Sequence, residues 1–122
     1  TGPFIQYTHA RIASILRRAK ELNVASSWSQ DIDLSTTEIE GIYLISEFEN
    51  KIGEAAREYS PAVIAQYIYD LAKEYNRFYA ELPIFNESDE NLMAFRVAYS
   101  KMIADIIKRG MGLLGINVPE RM

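Results

Sequence analysis

Tyr7, Arg11, Ser14 and Arg18 follow one another at intervals of four, three and four residues, the spacing that sets side chains along one ridge of a helix. A planar ring in line with two guanidinium groups suits an unpaired nucleic-acid strand, because a base can stack on the ring while fixed positive charges meet the phosphates. The same pattern also fits an ordinary solvated flank. A second group lies further on: five of the eight tyrosines fall between Tyr59 and Tyr79. Tyr75 sits near the middle of an apolar stripe, and Tyr79 about 60° off it on a helical wheel. A ring at the rim of a stripe has a packed body and a wet edge. Tyr75 therefore reads first as core, while Tyr79 fits core packing and stacking on a flat partner equally. His9, the one histidine, has no second ligand or nucleophile to work with and is expected to be a hydrogen-bonded structural residue. Asp31 and Asp33 read as solvated carboxylates in an acidic loop. Neither a glycine-rich phosphate loop, a metal-ligand cluster nor a nucleophile–base pair can be assembled.

The elements that must position these residues are helical. The stretch SPAVIAQYIYDLAKEYNRFYAELPIF, residues 60–85, opens on Ser60 and Pro61, an N-cap residue and a first-turn proline. Ile64, Ile68, Leu71, Tyr75, Phe78 and Leu82 then form one stripe on a 3.6-residue repeat, and Pro83 disfavours helix at the residue before it. The periodicity predicts an earlier helix from about Pro3 to Asn23, with Ile5, Thr8, Ile12, Ile15, Leu16, Ala19 and Leu22 buried. Residues 24–35 lose the period and read as a loop, with Trp28 expected to fold back on the core, stacking on a base being the alternative. Ser35 and Glu38 have the spacing of a capping box. The helix they open should bury Ile39, Ile42, Ile45 and Phe48, then Ile52, Ala55, Ala56 and Tyr59, and could divide at Asn50 or Gly53. Its acid runs read as a solvated face. Ser88 or Asp89 should cap a last helix with Leu92, Phe95, Tyr99, Met102, Ile103, Ile106 and Leu113 along one stripe and Lys101 and Lys108 opposite. Gly110 and Gly112 allow close helix approach, and Gly115 is placed as the stop. In the tail, Ile116, Val118 and Met122 should cling to the bundle. The expected fold is all-α, a bundle of four to five helices.

A chain of 122 residues suits one domain with a core of its own. The absence of cysteine excludes disulfides and thiolate metal sites and is compatible with a reducing cytoplasm. No apolar run approaches the ~18 residues that would suggest a membrane span. Starting at Thr1 with no initiator methionine, the chain is expected to be a fragment of a longer one. The net charge of −4 argues against a nucleic-acid binder until its distribution is considered. Residues 1–29 carry +3 and residues 91–122 another +3, against −6 for residues 30–60 and −4 for residues 61–90. If the first and last helices lie side by side, one face of an acidic protein can be positive.

YIYDLAKEYNRFY, residues 67–79, resembles a helix in the anticodon-binding domains that end certain class I aminoacyl-tRNA synthetases, the arginyl enzyme above all. TGPFIQYTHARI, residues 1–12, is similar to the arginyl-synthetase pattern Thr-Gly-Pro-aromatic, two residues, Tyr-x-His-x-Arg, departing only mildly with Phe4 where tyrosine is common and Thr8 where alanine is common. GLLGINVPERM, residues 112–122, resembles the Leu-Leu-Gly-Ile-x-x-Pro-Glu-x-Met close of the same enzymes. The three motifs span essentially the whole chain. The resemblance implies the C-terminal, DALR-type anticodon-binding domain of an arginyl-tRNA synthetase, whose partner is the anticodon loop of the tRNA for arginine. It implies Tyr7, Tyr75 and Tyr79 as stacking or edge-reading residues, Arg11 as a phosphate or base contact, and Met122 as the residue closing the site. Arg18 and Arg77 are added from the charge pattern alone.

The class I signatures for ATP binding, of the His-Ile-Gly-His and Lys-Met-Ser-Lys kind, do not occur. By that resemblance the chain has no cofactor and no catalytic residue of its own, and ATP and arginine belong to a catalytic domain elsewhere in the parent enzyme. A cytoplasmic monomer that binds neither membrane nor DNA is expected. Two alternatives remain at this point: the corresponding domain of a related enzyme such as the cysteinyl synthetase, against which both terminal motifs argue, and a helical protein-interaction domain with its tyrosines buried.

Overall fold

A computed structural model describes residues 2–122; Thr1, the first residue of the N-terminal motif, lies outside the described residues. Five helices follow in order: α1 (Gly2–Glu21), α2 (Thr36–Ser46), α3 (Phe48–Glu58), α4 (Pro61–Glu81) and α5 (Glu90–Leu113). The architecture is the expected all-α bundle. α4 is its axis and packs against each of the other four, while α1 and α5 also lie against one another. The two basic ends of the chain are thus neighbours.

The α4 stripe folds as its spacing dictates. Ile68, Leu71, Tyr75 and Phe78 are fully buried and Ile64 nearly so. Ser60 occupies the N-cap position ahead of Pro61, although its hydroxyl makes no capping bond, and the helix stops as Leu82 turns extended before Pro83. α1 ends earlier than its periodicity suggests. Asn23 adopts a left-handed conformation, its N–H bonds Lys20 O, and Val24 N–H bonds Ala19 O. That reciprocal pair satisfies the last carbonyls and turns Leu22 out to solvent. α3 closes the same way at Tyr59 and α5 at Gly115, the expected stop.

α2 corrects the sequence reading. Its capping box forms between Ser35 and Glu38. However, the residues it buries are Glu38 and Gly41, whereas Ile39 and Ile42 are exposed; only Ile45 and Phe48 turn inward as the period predicts. Two contacts rotate the helix. The Glu38 carboxylate accepts from Arg96 Nε at 3.0 Å with both side chains buried, and Gly41 lies so close to Tyr99 that a Cβ there would stand 2.1 Å from the phenol oxygen. Glu38 is thus not part of a solvated acidic face. The segment divides at Glu47, not at Asn50 or Gly53. There the Tyr67 hydroxyl donates to Leu44 O at 2.6 Å, satisfying a carbonyl at the break, and Phe48 stacks on the Tyr67 ring. Tyr59, expected inside with Ala56, is outside with it.

α5 is covered from two sides, by α1 and by α4. It therefore buries Arg96, Ser100, Ile107 and Met111 beside the expected Phe95, Tyr99, Ile103 and Ile106, and leaves Met102 and Leu113 exposed. Asp89 provides its cap. Gly110 packs tightly against α4, where a Cβ would meet Ile68 Cδ1 at 2.4 Å. Trp28 does fold back, edge-on to Phe95 at 5.5 Å. In the tail only Val118 joins the core; Ile116 and Met122 are exposed.

Candidate functional site

Tyr7 and Arg11 stand one turn apart on α1, and Tyr79 reaches toward them from the last turn of α4. The Arg11 guanidinium carbon is 5.2 Å from the centre of the Tyr7 ring and 4.5 Å from that of Tyr79, so the cation is held between two aromatic rings. Its in-plane direction is fixed from α4, where Asn76 Oδ1 accepts from Arg11 Nη1 at 2.8 Å. Asn76 is itself held, because its amide donates to Thr8 Oγ1 at 2.9 Å and to Ala72 O at 2.8 Å. The Thr8 hydroxyl in turn donates to Phe4 O. Each polar group of the chain Phe4–Thr8–Asn76–Arg11 has a partner, and Arg11 keeps further N–H donors for something outside the fold.

The C-terminal tail completes this corner. It runs along α1, with Gln6 donating to Asn117 O, His9 Nδ1 to Pro119 O at 2.9 Å and Arg17 to Glu120 O. Because Pro119 offers only a carbonyl acceptor, Nδ1 carries the proton and His9 is the structural residue its isolation suggests. This strapping brings Arg121 and Met122 to a groove of about 430 Å³ that Tyr7, Arg11, Arg17 and Tyr79 also line. Three arginines face it against one glutamate, Glu120, so a positive groove exists on an acidic protein.

The structure thus gathers Tyr7, Arg11, Tyr79 and Met122, and sets Arg18 just beyond Tyr79 on α1. It does not gather the other two candidates. Tyr75 is 0 % exposed, its hydroxyl bonded to Ser100 Oγ at 2.8 Å, so no ring face is left for a base and its role is core packing. Burial pushes its phenol above the ordinary value. Arg77 projects toward α2, where it pairs with Glu40, pairs also with Glu74 one turn back on its own helix, and takes no part in the groove. Sequence reasoning missed Asn76, Arg17 and Arg121. Asn76 did leave a signal, an asparagine in the middle of a strong helix, where its propensity is poor. Among the described residues no group of three or more potential metal ligands forms, and no helix is long and apolar enough to cross a membrane.

A family model for the DALR anticodon binding domain matches residues 5–122. An arginine–tRNA ligase of Porphyromonas gingivalis is 48 % identical over 124 residues, covering 100 % of this chain and 21 % of the relative. One from Bacteroides fragilis is 47 % identical with the same coverage. The chain therefore spans about a fifth of the length of these relatives. Among solved structures, the Thermus thermophilus arginyl-tRNA synthetase superposes with a TM-score of 0.86 at 32 % identity, over 100 % of this chain and 21 % of that one. A putative arginyl-tRNA synthetase from Campylobacter jejuni, at 22 % identity and a TM-score of 0.77 over 98 % of this chain and 26 % of that one, shares the fold.

Proposed function

Since the chain belongs to the DALR anticodon-binding domain family, we propose that it is the part of an arginine–tRNA ligase that reads the anticodon loop of the tRNA for arginine. The observation that carries this reading is the clamp of Arg11 between Tyr7 and Tyr79 at the mouth of a groove reached by Met122. An anticodon loop presents splayed, unpaired bases beside a phosphate backbone. The groove offers the matching chemistry: two partly exposed rings for stacking, a pre-oriented guanidinium for a base edge or phosphate, and Arg17 and Arg121 for further backbone charge. Recognition is its whole task. ATP and arginine bind, on this reading, in parts of the longer enzyme that this chain does not span, and the domain acts in the cytoplasm as a monomer on RNA alone.

The test is selective binding across a salt titration. Labelled tRNA for arginine should bind this chain more tightly than a tRNA with another anticodon, with affinity falling as salt rises because bound arginines release counterions. Equal affinity for both tRNAs at every salt concentration would leave only charge attraction and defeat the reading.

A further inference from the structure

Tyr79 has a cleft on each side. Beyond it, away from Arg11, lies a second space of about 490 Å³, walled by Arg18 of α1, by Tyr79 itself, and by Pro83, Phe85 and Asn86 of the turn that follows α4. We propose that this second cleft is a further nucleotide subsite, taking a base adjacent in the strand to the one held at Arg11. The inference rests on the reading given under Proposed function.

The chemistry of the first groove is repeated here with different residues. The Arg18 guanidinium carbon lies 5.3 Å from the centre of the Phe85 ring, as Arg11 lies over Tyr79. Among the described residues Arg18 has no carboxylate partner, so its charge is open to a phosphate. Asn86 is exposed and carries both a donor and an acceptor, which suits the edge of a base. Unpaired strands bind along tracks in which successive bases meet successive aromatic rings while arginines follow the backbone. Tyr79 and Phe85, with Arg11 and Arg18, make two consecutive steps of such a track. The ridge Tyr7–Arg11–Ser14–Arg18 runs through both, and Ser14 lines each cleft.

The second cleft is also preformed. Its wall is a turn with no helical bonds of its own, yet Ile84 is buried beneath it. Arg96 Nη1 donates at 2.8 Å to Pro83 O and to the Glu87 carboxylate, while its Nε pairs with the buried Glu38. A buried charge network thus pins both ends of the segment that carries Phe85 and Asn86. A ring held this way needs little ordering on binding.

The probe is a set of anticodon stem-loop RNAs of an arginine-accepting tRNA, each lacking one base of the loop. The wild-type chain should lose affinity on removal of either of two adjacent bases. Phe85→Ala and Arg18→Gln should each bind the intact loop about tenfold more weakly and become indifferent to the loss of one of these bases. Arg11→Ala should become indifferent to the loss of the other. Arg18 is exposed, so its variant keeps the test sound should Phe85→Ala fail to fold. If both variants follow the wild type at every position, or weaken all loops alike, the second subsite does not exist, even where Arg11→Ala still reports the first. If the wild type binds none of these RNAs, the anticodon reading itself falls and the subsite with it.

Discussion

The Arg11 guanidinium lies closer to the Tyr79 ring, at 4.5 Å, than to Tyr7 on its own helix, at 5.2 Å. The ring that aims the arginine therefore comes from α4, and the groove depends on how α1 and α4 pack. At 42 % exposure Tyr79 still presents surface to a ligand. Tyr79→Ala should weaken tRNA binding by about 1–3 kcal/mol, the usual worth of a base–aromatic stack. Tyr79→Phe keeps the ring and should retain most of it. Affinity and urea midpoint are measured on both variants; a lower midpoint with unchanged affinity would make Tyr79 a packing residue only.

Arg96 joins three parts of the chain, the start of α2 through Glu38, the turn after α4 through Pro83 and Glu87, and α5 itself. Arg96→Met would leave the Glu38 carboxylate, 0 % exposed, without its cation. The expected cost is about 3–5 kcal/mol, as for other broken buried pairs. Urea unfolding measures it, and a loss below about 1 kcal/mol would show that the pair is not what holds α2.

Tyr67, Tyr75 and Tyr99 share a titration. Burial raises all three phenols above the ordinary value near 10, and nearby carboxylates add to this at Tyr67 and Tyr99. In the unfolded chain they ionise near that value while the folded protein still holds their protons, so above it the native state binds more protons. Stability is then fully present below about pH 10 and falls as pH rises beyond it. The urea midpoint should be lower at about pH 11 than at about pH 9, and less so in Tyr75→Phe. A midpoint unchanged over that range would contradict the burial of these hydroxyls.

Tyr59 ends α3 with φ of 51° and is almost wholly exposed. Left-handed backbone costs a non-glycine residue roughly 1–2 kcal/mol, and no packing would be lost on truncation. Tyr59→Gly should therefore raise stability by about 0.5–1 kcal/mol once the freedom of glycine in the unfolded chain is subtracted. An unchanged or lower urea midpoint would count against this.

What could be read in the sequence, and what could not, divides by the kind of force. The α4 stripe, the Ser35 capping box and the stop at Gly115 depend on local spacing and chemistry, and each stands where the pattern predicts. The inner face of α2 does not. Its orientation is set by Arg96, 58 residues away, and by a tyrosine against Gly41; no window of sequence contains such pairs. At the candidate site the ridge Tyr7–Arg11 was legible because it is helical, and Tyr79 because it lies off the stripe. Tyr75 also belongs to the motif, yet its hydroxyl found Ser100 and the ring went inside. Asn76 escaped notice because its work is to hold another side chain. Arg121 reaches the groove only through the three bonds that lay the tail along α1.

The pairing of α1 with α4 and α5 has a consequence for how the protein is made. A ribosome delivers α1 well before either helix that covers it. At ~5–20 residues per second, the apolar face of α1 waits for several seconds until α4 has left the exit tunnel, and longer for α5. Throughout that interval Ile5, Ile12 and Ile15, all inside the finished bundle, lack those partners. The nascent chain should therefore depend on chaperones at this stage, and the groove, which needs Asn117, Pro119 and Glu120 strapped to the first helix so that Arg121 and Met122 reach it, can form only after synthesis has passed Met122.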